Sequence, residues 1–222
     1  MAINIASYID HTLLKQTTTL AEVDRLCVEA SMENFYSVCI PPKYVSDAKK
    51  LLDGSRVKVS TVIGFPLGYN ITAVKLREIE HALEMGADEL DMVQDLCALK
   101  SGDWKFLQEE VKASVKAVHD AGKIIKVIIE SGILTDDEII RCCEIYNDCG
   151  IDYMKTSSGY ADIGATVNTV SLMKRTLAPN IGIKASGGIK SYAFAKELIE
   201  AGATRIGTSA GWQIMKESRG EQ

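Results

Sequence analysis

Along the chain, apolar positions gather into short, nearly unbroken runs, separated by longer stretches in which they recur every three or four residues. The runs are IDHTLL, YSVCI, VKVSTVIG, ELDMVQD, IIKVIIE, YMKTSS, IGIKAS and TRIGTS, eight in all. Nearly continuous apolar runs suit strands covered on both faces, as in a parallel sheet. The stretches between them predict helices. Leu107, Val111, Ser114 or Val115, and Val118 fall on one helical face, as do Val167, Val170, Met173 and Leu177. Thr19 with Glu22, and Thr135 with Glu138, each read as a capping box at a helix start.

A short motif recurs four times: EMGADELDMV, DAGKIIKVII, DCGIDYMKTS and EAGATRIGTS. Each copy has a polar helix end, then Gly86, Gly122, Gly150 or Gly202, then an apolar run. Glycine fits the left-handed position that closes a helix, so each copy is a helix-to-strand joint. Eight strand–helix units without a linker predict one α/β domain over residues 1–222, a TIM (β/α)8 barrel. An open doubly wound sheet is the competitor, but no G-x-G-x-x-G fingerprint accompanies the pattern.

Composition narrows the classes. The 222 residues are 46% apolar and 25% charged, enough apolar material for a sizeable core. A net charge of -5 argues against nucleic acid as the partner, yet leaves room for a local basic pocket that takes a small phosphate. No apolar run reaches the roughly 18 residues of a membrane span. MAINIASYIDHTLLK carries no basic n-region or small-residue cleavage site, so no secretory signal is expected. Six cysteines form no C-x-x-C pair, and three histidines lack ligand spacing. Buried thiols in a reducing cytoplasm, with no metal site, are the expectation.

Polar residues embedded in the apolar runs are the candidates for chemistry. Asp91, Lys126, Lys155 and Lys184 sit in four consecutive runs, the fourth through the seventh. One such lysine could snorkel outward past a helix. Four charged residues at comparable depth fit a barrel interior better. Lys155 and Lys184 would be on adjacent strands about 4.8 Å apart. Mutual repulsion and burial should then lower both lysine pKa values. A neutral lysine attacks carbonyls and forms a Schiff base, for which Asp91 could move protons. Gly187-Gly188 and the run from Gly207 to Gly211 would form the loops after the last two strands. That is the usual barrel site for a phosphate.

These stretches identify a resemblance. YIDHTLLK, TVIGFPLG, GADELDMV, ALKSGD, KVIIESG, YMKTSSGY, KASGGIK and ATRIGTS together resemble the deoxyribose-phosphate aldolase family along nearly the whole chain. The resemblance implies a class I aldolase that cleaves 2-deoxy-D-ribose 5-phosphate to D-glyceraldehyde 3-phosphate and acetaldehyde, in nucleoside catabolism. It implies no metal or organic cofactor, no nucleic-acid or membrane partner, and a homodimer. Lys155 would be the Schiff-base lysine, Lys184 the second lysine that lowers its partner's pKa, and Asp91 the acid–base carboxylate. Lys126, Asp10 and Thr12 would support the site. Gly159, Gly187, Gly188, Gly207 and Ser209 would surround the phosphate.

Two departures set further expectations. Many members continue DMV with Ile-Asn-Ile-Gly, whereas this chain has Gln94-Asp95-Leu96-Cys97. Asp95 would add a carboxylate near the mouth, and Cys97 would resist the positive φ that glycine allows. Some members end in a tyrosine that reaches the site; here the last residues are Arg219-Gly220-Glu221-Gln222, and Tyr160 is the candidate substitute. Two rival readings stand beside the first: an imine-forming aldolase for another sugar phosphate, and a sugar-phosphate binding protein that has kept the barrel. Trp104 and Trp212 should pack helices onto the barrel, and Lys112 and Lys116 should line a solvated helix face.

Overall fold

A computed structural model describes residues 4–221; the first residues of the stretch read for a signal, and the terminal Gln222, lie outside the described residues. The eight runs form eight strands: β1 (Ile9–Thr12), β2 (Ser37–Ile40), β3 (Lys58–Ile63), β4 (Glu89–Val93), β5 (Ile124–Ile128), β6 (Tyr153–Lys155), β7 (Gly182–Ser186) and β8 (Arg205–Thr208). Every pairing is parallel, and β8 returns to β1, so the sheet closes as a barrel.

Helices follow the strands in turn: α1 (Leu20–Glu33), α2 (Val45–Leu51), α3 (Thr72–Glu84), α4 (Leu96–Lys100), α5 (Trp104–Asp120), α6 (Asp136–Asn147), α7 (Val167–Thr176), α8 (Tyr192–Glu200) and α9 (Gly211–Ser218). Both capping boxes are present, at the starts of α1 and α6. The four joint glycines all take positive φ, from 67° at Gly122 to 121° at Gly202. Among the described residues, the short α4 is the one α-helix additional to one per strand, and it starts within the departing 94–97 segment, with Asp95 as its cap.

The period of two along each strand divides the buried residues into two compartments. Leu90 and Met92 of β4, Ile125 and Val127 of β5, and Met154 of β6 belong to the apolar cluster between strands and helices. The residues that alternate with them, Asp91, Lys126 and Lys155, face the barrel axis and are 0–2% exposed. On α5, Leu107, Val111, Ser114, Val115 and Val118 are all buried against the barrel, while Lys112 and Lys116 are exposed. Trp104 packs on the core as expected, and Trp212 is half-buried. Five cysteines are buried; Cys97, on α4, is exposed. No helix among the described residues is long and apolar enough to cross a membrane.

Candidate active site

The inward residues meet in one network of charges. Asp91 lies at its centre, fully buried on β4. Its Oδ1 accepts from Lys126 Nζ at 2.7 Å and from Ser60 Oγ at 3.3 Å. Its Oδ2 accepts from Lys155 Nζ at 2.8 Å and from Lys184 Nζ at 2.7 Å. Lys155 and Lys184 are register partners on β6 and β7, which explains how both reach one oxygen. Asp10, on β1, takes Lys184 at 2.5 Å through Oδ2. Barrel closure brings β1 to this end of the set, which the order of residues along the chain does not reveal.

Two members were not singled out from the sequence. Glu89 Oε2 lies 2.7 Å from Lys126 Nζ. Arg205 Nη1 donates to Asp10 Oδ1 at 2.8 Å and to Glu89 Oε2 at 3.1 Å. Glu89 had a signal, since it stands two residues before Asp91 and shares its face. Arg205 opens its strand directly after a helix-to-strand joint, and nothing in the local pattern marks it.

Electrostatics within the network correct one expectation. Burial alone would push the Lys184 ammonium down, but the Asp10 and Asp91 carboxylates outweigh it and hold its pKa above the ordinary lysine value. Lys126 behaves the same way: burial opposes its charge, and Asp91, Glu89 and Asp10 outweigh it. So Lys184 is a stable ammonium rather than one of two depressed lysines. Burial would also raise Asp91, yet Lys126, Lys155 and Lys184 together hold it well below the usual carboxylate range. Asp10 is likewise held low, by Lys184 and Arg205 against the effect of burial.

A cavity of roughly 320 Å³ opens above this network at the carboxyl ends of the strands. Lys155 lines it, and so do Thr12, Ser158, Gly159, Ser186, Gly187, Gly188, Gly207 and Ser209. Gly159, Gly187 and Gly188 take φ of 91°, 91° and 77°, a region that side chains with a Cβ disfavour. Among the described residues, the N–H groups of Gly159, Gly187, Gly188 and Ser209 donate to no protein acceptor. Gly207 is glycine for a different reason. A Cβ there would meet Ser186 Oγ at 2.2 Å and Lys184 Cε at 3.0 Å, so its bareness makes room for the lysine stem.

The turn after Lys155 is anchored from the end of the preceding strand, β5. Glu130 follows β5 with φ of 52°, and its carboxylate accepts from the Ser158 backbone N–H at 3.2 Å and from the Ser158 hydroxyl. Tyr160 leaves this turn and donates its hydroxyl to the Leu14 carbonyl at 2.6 Å, with its ring edge-on to Phe65. It therefore bridges the mouth between this cavity and a second one of roughly 540 Å³.

The 94–97 departure turns away from the cavity. Gln94 is buried; its Nε2 donates to Ile129 O at 3.1 Å and its Oε1 accepts from Tyr146. Asp95 does not add a carboxylate to the mouth, because its side chain caps α4 by accepting from Ala98 N at 2.9 Å. Cys97 lies within α4, where no positive φ is required.

Comparisons with known proteins agree with this geometry. A family model described as DeoC/LacD family aldolase matches residues 4–217. A deoxyribose-phosphate aldolase of Streptococcus equi subsp. zooepidemicus is 49% identical over 213 residues, 96% of each chain. One of Thermococcus gammatolerans is 47% identical over 221 residues, covering 99% of this chain and 98% of its own. The solved structure of the deoxyribose phosphate aldolase of Aeropyrum pernix, described as a tetramer, superposes with a TM-score of 0.91 at 35% identity, covering 97% of this chain and 91% of its own.

Proposed function

The chain belongs to the DeoC/LacD family of aldolases, and from that premise we propose that Lys155 is the lysine that carries its substrate as a Schiff base. The activity is that of a deoxyribose-phosphate aldolase, a carbon–carbon lyase acting on a sugar phosphate. One observation carries the assignment of Lys155. Four cationic side chains, Lys126, Lys155, Lys184 and Arg205, face three carboxylates, Asp10, Glu89 and Asp91. With all seven ionised, one positive charge is in excess. Lys126 and Lys184 each hold two carboxylates, whereas Lys155 holds one and lines the cavity. Lys155 is therefore the amine with the fewest carboxylate partners and the one a substrate in the cavity can reach.

In the proposed reaction, Lys155 Nζ attacks C1 of open-chain 2-deoxy-D-ribose 5-phosphate, giving a carbinolamine. Loss of water leaves an iminium. The C3 hydroxyl proton passes through water to Asp91, which Lys126 and Lys184 hold against Lys155 Nζ. The C2–C3 bond breaks, its electron pair moves into the enamine, and D-glyceraldehyde 3-phosphate departs. Protonation at C2 regenerates the iminium, and hydrolysis frees acetaldehyde and Lys155. Lys184, held as an ammonium, donates to Asp91 throughout and is the nearest proton reservoir. The iminium is itself the electron sink, so the scheme as written calls on no metal or organic cofactor.

The phosphate would sit on the unengaged N–H groups of Gly187, Gly188, Gly159 and Ser209, near the start of α9. It is remote from the broken bond, so its binding acts by holding C1 at Lys155. Gly187→Ala should weaken this hold, since a Cβ there would meet Gly164 Cα at 2.9 Å with φ at 91°. The expected result is a fall of roughly tenfold in kcat/KM for the phosphate ester, mostly through KM, with free 2-deoxyribose little affected. Steady-state kinetics on both sugars check it.

Nothing at residues 94–97 favours another sugar phosphate, since the Asp95 side chain caps α4 and the Gln94 side chain holds Tyr146 of α6. A homodimer in a reducing cytoplasm is the proposed setting; the family resemblance supports the first, and the free thiols support the second. Borohydride added with substrate should trap a secondary amine on Lys155, found by intact mass and peptide mapping. An unchanged mass at saturating substrate would sink the Schiff-base reading.

A further inference from the structure

Arg205 lies at the first residue of β8, at the end of the barrel opposite the mouth, and is 1% exposed. Its guanidinium carbon stands 3.3 Å from the Tyr36 ring centroid, and Nη2 donates to the Tyr153 hydroxyl at 3.2 Å. Tyr36 precedes β2 and Tyr153 opens β6, so aromatic groups hold the fork in place from two sides. Its remaining charged neighbours are Asp10 from β1, Glu89 from β4, Lys126 from β5, which shares Glu89 Oε2 with it, and its register partner Lys184 on β7. A residue so placed could be only a plug for the barrel floor.

The connections point further. From Arg205, one path runs through Asp10 to Lys184, and another through Glu89 to Lys126. Both paths end on Asp91, whose Oδ2 also holds Lys155. Every link is between buried groups at 3.1 Å or less. Water screens little inside such a cluster, so a charge at one end acts on proton release at the other.

We propose that Arg205 is a positioning residue for the aldol reaction, whose charge at the barrel floor keeps Asp10 and Glu89 occupied and so sets, through the chain of ion pairs, how the amine of Lys155 is freed for attack. The proposal rests on the Schiff-base reading of Lys155. Without Arg205, three lysines face three carboxylates, and no proton is in excess. The cluster titrates as one coupled unit, so its readout is the acid limb of kcat/KM against pH.

Arg205→Met should move that limb to higher pH by on the order of one unit, about a tenfold loss of kcat/KM below it, with recovery at alkaline pH. Arg205→Lys keeps the charge and should keep the limb near its wild-type position, whatever happens to kcat. Glu89→Gln removes a negative charge from the same network and should move the limb the opposite way, which keeps the test available if Arg205→Met does not fold. Borohydride trapping on each folded variant, above its limb, separates the two readings. No adduct in the wild type overturns the Schiff-base reading itself. An adduct on Lys155, with limbs that do not move in Arg205→Met or Glu89→Gln, overturns the role of Arg205 and leaves it a structural plug.

Discussion

Asp91→Asn is expected to lose activity and stability together. The carboxylate accepts from Lys126, Lys155 and Lys184 at 2.7–2.8 Å with no exposure to solvent. An asparagine removes the charge and places an amide donor against ammonium groups that are themselves donors. Breaking a buried ion pair by removing one partner costs about 3–5 kcal/mol, because the other charge stays buried. Lys184 and Lys126 each keep one carboxylate, Asp10 and Glu89 respectively, which limits the loss. Activity should fall by roughly 10²–10⁴-fold, the usual contribution of a positioned acid–base group. Denaturant titration and steady-state rates on the same preparation check both halves. Native stability with a severe loss of rate would mean that the charge network is not what holds the barrel interior.

The pH dependence follows from the same group. The folded-state pKa of Asp91 is depressed, so it contributes stability above the ordinary carboxylate pKa. That contribution disappears as pH falls from the unfolded value toward the much lower folded one. The wild type should therefore lose stability on acidification, below about pH 4, more steeply than Asp91→Asn.

Lys155→Leu gives the opposite combination. Turnover and borohydride trapping should both vanish, since no other member of the cluster lines the cavity. Yet the fold should survive nearly intact. Lys155 has one carboxylate partner, and Asp91 keeps Lys126 and Lys184 after its loss. The charges then balance at three against three, and an apolar side chain of similar reach fills the site. A change in unfolding free energy within about 1 kcal/mol is expected, measured by chemical denaturation. If Lys155→Leu unfolds as readily as Asp91→Asn, the lysine is a structural ion rather than a reactive one. Kinetics and stability of this pair of variants thus separate the nucleophile from the group that supports it.

The strands, the joints and four of the seven charged residues were legible because each depends on local pattern. An ammonium inside a run such as YMKTSS is conspicuous, and a glycine after a helix end has one common use. Asp10 was named through the family resemblance; Glu89 was passed over although it shares the face of Asp91, and Arg205 because its partners are remote and no local pattern marks it. Arg205 meets Glu89 across 116 residues and Asp10 across 195. Which strands adjoin, and at which register, is settled by closure. The sign for Lys184 was missed for the same reason. Repulsion from Lys155 could be read from neighbouring strands, but attraction to Asp10 arises only when β1 comes round to β8. At residues 94–97 the substitutions looked like changes at the mouth. A buried glutamine and a helix-capping aspartate can only be recognised once α4 and α6 are in place.

The strand bearing Lys155 is three residues long, and the cluster around that lysine draws on β1, β4, β5, β6, β7 and β8. So short a segment has no persistence of its own, and its neighbours on both sides must be present before it is ordered. An incompletely assembled chain has neither the closed charge cluster nor the cavity that presents Lys155 to a carbonyl compound. Reactivity arrives only when the first and last strands meet. A small carbonyl probe that reacts with Lys155 would therefore report completion of the barrel as directly as any spectroscopic signal.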